Sequence, residues 1–134
     1  TAARLADIVG VNPNVGAGSF GPAAIASMSA DATDEKLTWV RDAAGDRFDD
    51  LEISILKFVT NVTDDRDTVA EKVGGAMGID AATILASPHT MVGSAEQIAD
   101  ELVEQRDRWQ GSYVTVQLDA IDTFAPVVAA LAGT

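Results

Sequence analysis

The sequence predicts an α/β fold in which short apolar strands alternate with amphipathic helices. Residues 87–113 read as a loop, a capped helix and the beginning of a β-branched strand, and a further helix follows at 121–131. Residues 51–62 carry apolar side chains on both faces, which is typical of a strand buried on both sides in a parallel sheet. Helices that feed apolar strands in this way indicate a parallel α/β architecture.

The remaining elements follow from local signals in chain order. Residues 1–6 read as the end of a helix, 7–12 as a strand and 13–22 as an irregular loop rich in glycine and proline. A helix is predicted over 33–44 and ends at Gly45. Residues 63–66 predict the start of another helix, in which Val69, Val73 and Met77 recur at helical spacing. Residues 80–86 are predicted to add one or two helical turns.

The helix that starts after Ser94 has the clearest boundaries. Ser94 and Gln97 have the spacing of a capping box, in which each side chain satisfies a backbone donor. The buried stripe recurs every three to four residues and consists of Ile98, Leu102, Gln105 and Trp109. Gly111 is expected to end this helix, and the strand then spans 112–118.

Composition narrows the classes of function. The chain of 134 residues is long enough for one domain, and we predict a single unit over 1–134. A formal net charge of −12 with scattered basic residues argues against nucleic-acid or anionic-membrane partners. The absence of cysteine excludes disulfides and thiolate catalysis, and the acidic pairs lack the pattern of a calcium loop, so we predict no metal site. No apolar run is long enough to span a membrane, and we expect a cytoplasmic protein.

Five segments together resemble one protein family. In chain order they are ADIVGVNP, WVRDAAGDRFDDLEI, GSAEQIADEL, GSYVTV and FAPVVAAL, and they cover the chain from Leu5 to Leu131. These segments look like the C-terminal end of the bacterial luciferase-like flavin and deazaflavin oxidoreductases. Within that family the chain is most similar to the branch that is expected to use coenzyme F420.

The resemblance implies a (β/α)8 TIM barrel, which typically needs about 250 residues. We therefore expect this chain to be the C-terminal part of the barrel, with about three parallel strands, and a free-standing reduced domain is the alternative. The implied activity is hydride transfer to or from a small organic substrate, with F420 or alternatively FMN as the cofactor. In the family, the glycine-rich segment thought to hold the cofactor phosphate would precede Thr1, so this chain is not expected to retain the cofactor.

Two other classes of function compete with the oxidoreductase. One is a non-catalytic oligomerising or binding module derived from such a barrel. The other is an unrelated hydrolase or transferase, which would need a nucleophile elbow or a P-loop, and neither motif is present. Strands removed from a barrel leave free edges, and we expect these to be buried in a homodimer.

Candidate site residues follow from the rule that barrel active sites form at the carboxyl ends of the strands. The rule selects Asn12, Asn61 and Gln117 as cofactor-binding or substrate-mouth residues, and hydrogen bonding among themselves is the alternative. Strand alternation places Gly10 and Asn12 on one face. On the last strand, Tyr113, Thr115 and Gln117 are expected to point inward.

For the other residues that could take part in chemistry, a structural role is the first interpretation and a functional role is the alternative. The glycine-rich loop at 16–21 lacks a dinucleotide-binding pattern and is predicted to be a surface loop, with an active-site lid as the alternative. His89, the only histidine, has no recognisable nucleophile partner. Lys57 interrupts an apolar strand and either extends to the sheet end or approaches an anionic substrate group. Asp46 and Arg47 are expected to form a structural cap and ion pair.

Overall fold

A computed structural model describes residues 2–16 and 21–133. This part of the chain alternates short strands with helices, together with 3-10 turns at Gly45–Asp50 and Leu118–Ala120. The regular elements are α1 (Ala2–Leu5), β1 (Ile8–Val11), α2 (Pro22–Ala26), α3 (Ala30–Ala44), β2 (Glu52–Ile55), β3 (Val59–Val62), α4 (Arg66–Met77), α5 (Ala81–Ala86), β4 (Thr90–Gly93), α6 (Ala95–Trp109), β5 (Gly111–Tyr113) and α7 (Ile121–Leu131). None of the helices in the described residues is long and apolar enough to cross a membrane.

The strands form two parallel sheets. One sheet has the order β1-β2-β5, with Ile8 opposite Glu52 and Val11 opposite Ile55, and the other pairs β3 with β4. Every pairing between these strands is parallel. The predicted α/β class with parallel strands and intervening helices is therefore confirmed.

The prediction of one continuous strand over 51–62 is wrong. The chain leaves the first sheet after β2 and enters the second sheet at β3. Leu56 N–H still donates to Val11 O at 3.3 Å, whereas Phe58 N–H donates to His89 O, in the turn before β4, at 2.8 Å. The strand breaks because its two halves pair with different neighbours. The second neighbour is β4, a four-residue strand in a segment for which the sequence predicts a loop.

The last predicted strand is also shorter than expected. β5 covers only 111–113, and residues 114–117 have no regular structure. Gln110, with φ of 56°, takes the left-handed position that ends α6, so Gly111 begins the strand instead of stopping the helix. Tyr113 and Thr115 are exposed, contrary to the expectation that they point inward.

The core lies between the sheets and the helices in three apolar clusters. The largest places α3 and the end of α6 against one face of the first sheet and contains Val9, Val11, Leu37, Phe48, Leu51, Ile53, Ile55 and Trp109. The second joins β4, α6 and α7, and the third joins β4 with α4 and α5. On β1 and β2 the buried positions alternate with exposed or half-buried ones. Gly10 and Asn12 share one face as predicted, and this face is exposed.

The predicted capping signals are confirmed at the start of α6 and at the end of α3. Ser94 and Gln97 form the predicted capping box, and Gly45, with φ of 56°, follows α3. Asp65 and Asp80 accept from backbone N–H groups at the starts of α4 and α5. α3 starts three residues before the predicted 33 because Ser29 caps it.

Two connections differ from the sequence expectation in detail. Arg47 has the structural role expected of it, but its guanidinium donates to Ala3 O at 3.2 Å and Ala6 O at 3.1 Å, and its ion pair is with Asp7 and not Asp46. The glycine-rich loop lies partly outside the described residues, at 17–20. It is followed by α2, a five-residue helix without a side-chain cap that begins at Pro22 and is not predicted from the sequence.

Candidate functional site

The break between β2 and β3 places a lysine in the interior. Lys57 is only 2% exposed, although it lies in a non-strand segment between two sheets. Its Nζ donates to Pro88 O at 2.6 Å and to the Oε1 atom of Gln105 on α6. The lysine therefore ties the strand break to the turn before β4 and to the buried stripe of α6.

The backbone on both sides of Lys57 is held by side chains. His89 Nδ1 donates to Leu56 O at 2.8 Å, and Gln117 Nε2 donates to Lys57 O at 2.7 Å. Because Leu56 O and Lys57 O lie outside regular strand pairing, these bonds satisfy carbonyls that would otherwise be buried without a donor. His89 and Gln117 thus fix the geometry of the break.

Burial is the main influence on the charge of Lys57. It lowers the pKa of the Lys57 amine from 10.5 to about 7, because the ammonium loses its hydration, while the charge of Glu101 opposes the shift. Glu101 is ion-paired with Arg66 and not with Lys57. Burial also raises the pKa of the Glu101 carboxyl, against the opposing effect of Arg66.

His89 is a neutral imidazole at ordinary pH. Burial lowers its pKa to about 4, the hydrogen bond to Leu56 O opposes that shift, and the charges of Lys36 and Lys57 lower the pKa further. Since Leu56 O is an acceptor, Nδ1 carries the proton and Nε2 is bare. This fully buried Nε2 has no hydrogen-bond partner within the described residues.

Lys36 lies at the other edge of this region. Its Nζ donates to Ser27 O at 2.5 Å, and burial lowers its pKa. Ser27 Oγ in turn accepts from Asn14 N–H at 2.6 Å, which ties the loop after β1 to the end of α2. Two of the three lysines and the only histidine therefore lie in one part of an acidic protein.

Two adjoining clefts lie beside this polar cluster. The first has a volume of about 260 Å³ and is lined by Pro88 and Gln105 together with charged groups of α6. The second, of about 290 Å³, is mainly apolar and lies between the start of α3 and α5. The residues that line both clefts are Ala30, Ala86 and Ser87. The pair of clefts therefore combines a polar part with an apolar part.

The three residues that were predicted to bind the cofactor or to line the substrate mouth do not all lie in one place. Gln117 contacts the Lys57 backbone, and Asn12 is exposed one residue after the Val11 carbonyl that Leu56 contacts. Asn61 is exposed on β3 and lines a separate cleft of about 230 Å³. In the described ranges, no group of three or more His, Asp or Glu side chains converges in a way that could hold a metal ion.

Sequence reasoning missed the pairing of Lys57 with Gln105, although both residues carried a signal. Lys57 interrupts an apolar strand, and Gln105 occupies a buried position of the α6 stripe. Buried polar groups need partners, so two such residues on neighbouring elements are candidates for each other. What the sequence lacked was the strand break that brings them into contact.

Comparisons with known proteins identify no relative of this chain. No protein-family model matches it, and no curated protein or solved structure is similar to it. The resemblance to luciferase-like oxidoreductases therefore contributes to function only as a proposal.

Proposed function

We propose that this chain is the C-terminal part of a cytoplasmic luciferase-like oxidoreductase that uses F420, or alternatively FMN, and that it lacks full activity alone. The substrate would be a small organic molecule that gives or receives a hydride. The observation that carries the proposal is that every strand pairing in the described residues is parallel, with helices between all successive strands except β2 and β3, in a chain whose segments resemble that family. In parallel α/β proteins, ligands bind at the carboxyl ends of strands.

The residues that would meet the cofactor ring are amides. Asn12 follows β1, and Gln117 contacts the segment that follows β2. Amide groups both donate and accept hydrogen bonds, which suits the alternating carbonyl and N–H groups of a flavin or deazaflavin ring. The bound cofactor would supply the hydride chemistry, and these residues would orient it and exclude water.

The described residues offer fewer suitable groups for the phosphate of the cofactor than for its ring. The basic groups nearest the strand break, Lys36 and Lys57, already donate to protein oxygens. The glycine-rich loop is followed by a helix of only five residues without a side-chain cap. The proposal therefore includes weak cofactor binding by this chain alone.

Titration of the isotope-labelled chain with FMN and with F420, followed by backbone amide NMR, tests this function. We expect shifts at Asn12, Lys57 and Gln117, with a dissociation constant at or above about 1 mM, the weak end of the affinity scale. The Asn12→Ala variant should reduce these shifts, whereas Asn61→Ala, on a separate cleft, should not. An absence of shifts at the strand ends rejects the proposal, and micromolar binding shows that the chain carries a complete cofactor site.

A second candidate is the non-catalytic oligomerising module, which the open face of the first sheet favours. Parallel sheets are almost always covered on both faces. Two large apolar side chains of this sheet, Ile8 and Tyr113, are 46% and 44% exposed. Leu118, five residues after Tyr113, is 85% exposed. Covering this face with a second copy would form the expected homodimer.

Sedimentation equilibrium at micromolar concentration tests the oligomerising module. We expect a dimer that Ile8→Lys weakens and that Trp39→Lys, a change at an exposed apolar residue of α3, does not. A monomer of 13.9 kDa would reject this second candidate.

A further inference from the structure

The hydrogen bonds of Lys57 match those of a neutral amine. A neutral amine has two N–H groups and one lone pair, whereas an ammonium has three N–H groups and none. Two acceptors contact Nζ, Pro88 O and Gln105 Oε1. None of the ion pairs in the described part of the chain includes Lys57. Two acceptors match the two N–H groups of a neutral amine, so the contacts are compatible with a neutral Lys57.

The amine lies behind the lining of a cleft, and Lys57 itself does not line it. Pro88 and Gln105, the two residues that accept from Nζ, both line the polar cleft of about 260 Å³. Gln105 contacts the amine through its side chain, so a molecule in the cleft would reach Nζ only after the Gln105 amide rotates away from it. The cleft continues into the apolar one along Ala30, Ala86 and Ser87, which provides room for a short hydrocarbon chain.

We propose that Lys57 is a covalent site for a small aldehyde, which enters through the polar cleft and forms an imine with Nζ. This inference rests on the cleft and the amine contacts and is independent of the oxidoreductase proposal. Lysines that act as nucleophiles are those whose amine is neutral and desolvated. The burial that lowers the Lys57 pKa to about 7 agrees with this requirement.

The reaction balances without an added oxidant or reductant. The Nζ lone pair attacks the carbonyl carbon and forms the C–N bond, while the carbonyl π pair moves to oxygen, which gains a proton as nitrogen loses one. The carbinolamine hydroxyl then takes up a proton and leaves as water while the nitrogen lone pair forms the C=N bond, and the release of the second nitrogen proton replaces the proton that was taken up. The bare Nε2 of His89 belongs to the same cluster, because His89 contacts the residue before Lys57.

Propanal with sodium cyanoborohydride tests the proposal on the intact chain, because reduction of the imine fixes one propyl group on the modified amine. Peptide mass mapping then compares Lys57 with exposed Lys72. At pH 7 we expect more label on Lys57 than on Lys72, with a labelling midpoint near pH 7. The charge of Glu101 raises this midpoint against the effect of burial, and Lys57 is also close enough to His89 to lower the pKa of that imidazole.

The Gln105→Glu variant is the matched control, because it keeps the side-chain length and replaces the amide with a carboxylate against the amine. A carboxylate contact favours the ammonium, so labelling of Lys57 at pH 7 should fall at least tenfold and its midpoint should rise. Circular dichroism verifies that the variant folds. Labelling of Lys72 with none at Lys57 in the folded wild-type chain, between pH 7 and 9, overturns the proposal.

Discussion

The buried amine of Lys57 should make the stability of the fold rise with pH above neutrality. Its folded pKa of about 7 lies below the 10.5 of the unfolded chain, so between these values the unfolded state binds a proton that the folded state does not. Stability increases with pH wherever the unfolded state binds more protons. From pH 7 to pH 9 the free energy of unfolding should therefore rise by about 2 kcal/mol, and below pH 7 this contribution is constant.

Urea unfolding measures this effect through the fluorescence of the tryptophans, because Trp109 is buried in the core. The Lys57→Met variant serves as the control, since it keeps an unbranched apolar stem but cannot titrate. The rise between pH 7 and 9 should be about 2 kcal/mol larger in wild type than in this variant. Lys36, whose pKa is also lowered, contributes with the same sign to both proteins. Equal pH dependence in the two proteins refutes a neutral Lys57.

Three further predictions concern residues outside the amine itself. Gly74→Ala should destabilise the fold by about 1–3 kcal/mol, because its Cβ would lie 2.6 Å from a backbone carbonyl. Gly75→Ala, with open space at that position, should be neutral or stabilise by up to about 1 kcal/mol in the same urea assay. Ser94→Ala should lower the free energy of unfolding by about 1 kcal/mol through loss of the α6 cap, and Ser112→Ala, an exposed control, should not. Because the His89 pKa is lowered to about 4, stability should fall by about 3 kcal/mol from pH 6.5 to pH 4, and His89→Phe should remove this part of the acid dependence. Thermal unfolding across this pH range measures it, and identical curves for the two proteins contradict a neutral buried histidine.

The sequence predicts the helices better than the strands because caps are local signals. Ser94 and Gly45 mark helix ends through their own hydrogen bonds and φ values, so neighbouring residues suffice to find them. The break within 51–62 depends on which strands lie alongside, and that is decided by contacts distant in sequence, such as the one between Phe58 and His89. The hydrophobic pattern of residues 51–62 therefore does not show that the chain passes from one sheet to the other.

The candidate site shows the same limit. Gln117 is a candidate because polar residues at strand ends often bind ligands, and it does contact the strand break, through the Lys57 carbonyl. Asn61 follows from the same rule but lies on the other sheet and lines another cleft, because the break moves β3 away from β2. The sequence therefore identifies these residues as polar and strand-terminal, whereas their grouping requires the topology.

Below pH 7, the burial of Lys57 lowers the free energy of unfolding by about 5 kcal/mol. This is the energy that corresponds to lowering the pKa of its amine from 10.5 to about 7. That is a large fraction of the roughly 5–15 kcal/mol that stabilises a typical domain. If the only role of Lys57 were to join the strand break to Pro88 and Gln105, a side chain with a neutral hydrogen-bond donor would make the same contacts with a smaller loss of stability. Large pKa displacements beside a cleft are typical of functional sites, although structural networks also produce them. The two explanations differ in one observable: a structural lysine keeps its two hydrogen bonds and stays unreactive, whereas a functional one gives up the bond to Gln105 and reacts with a carbonyl that enters the cleft.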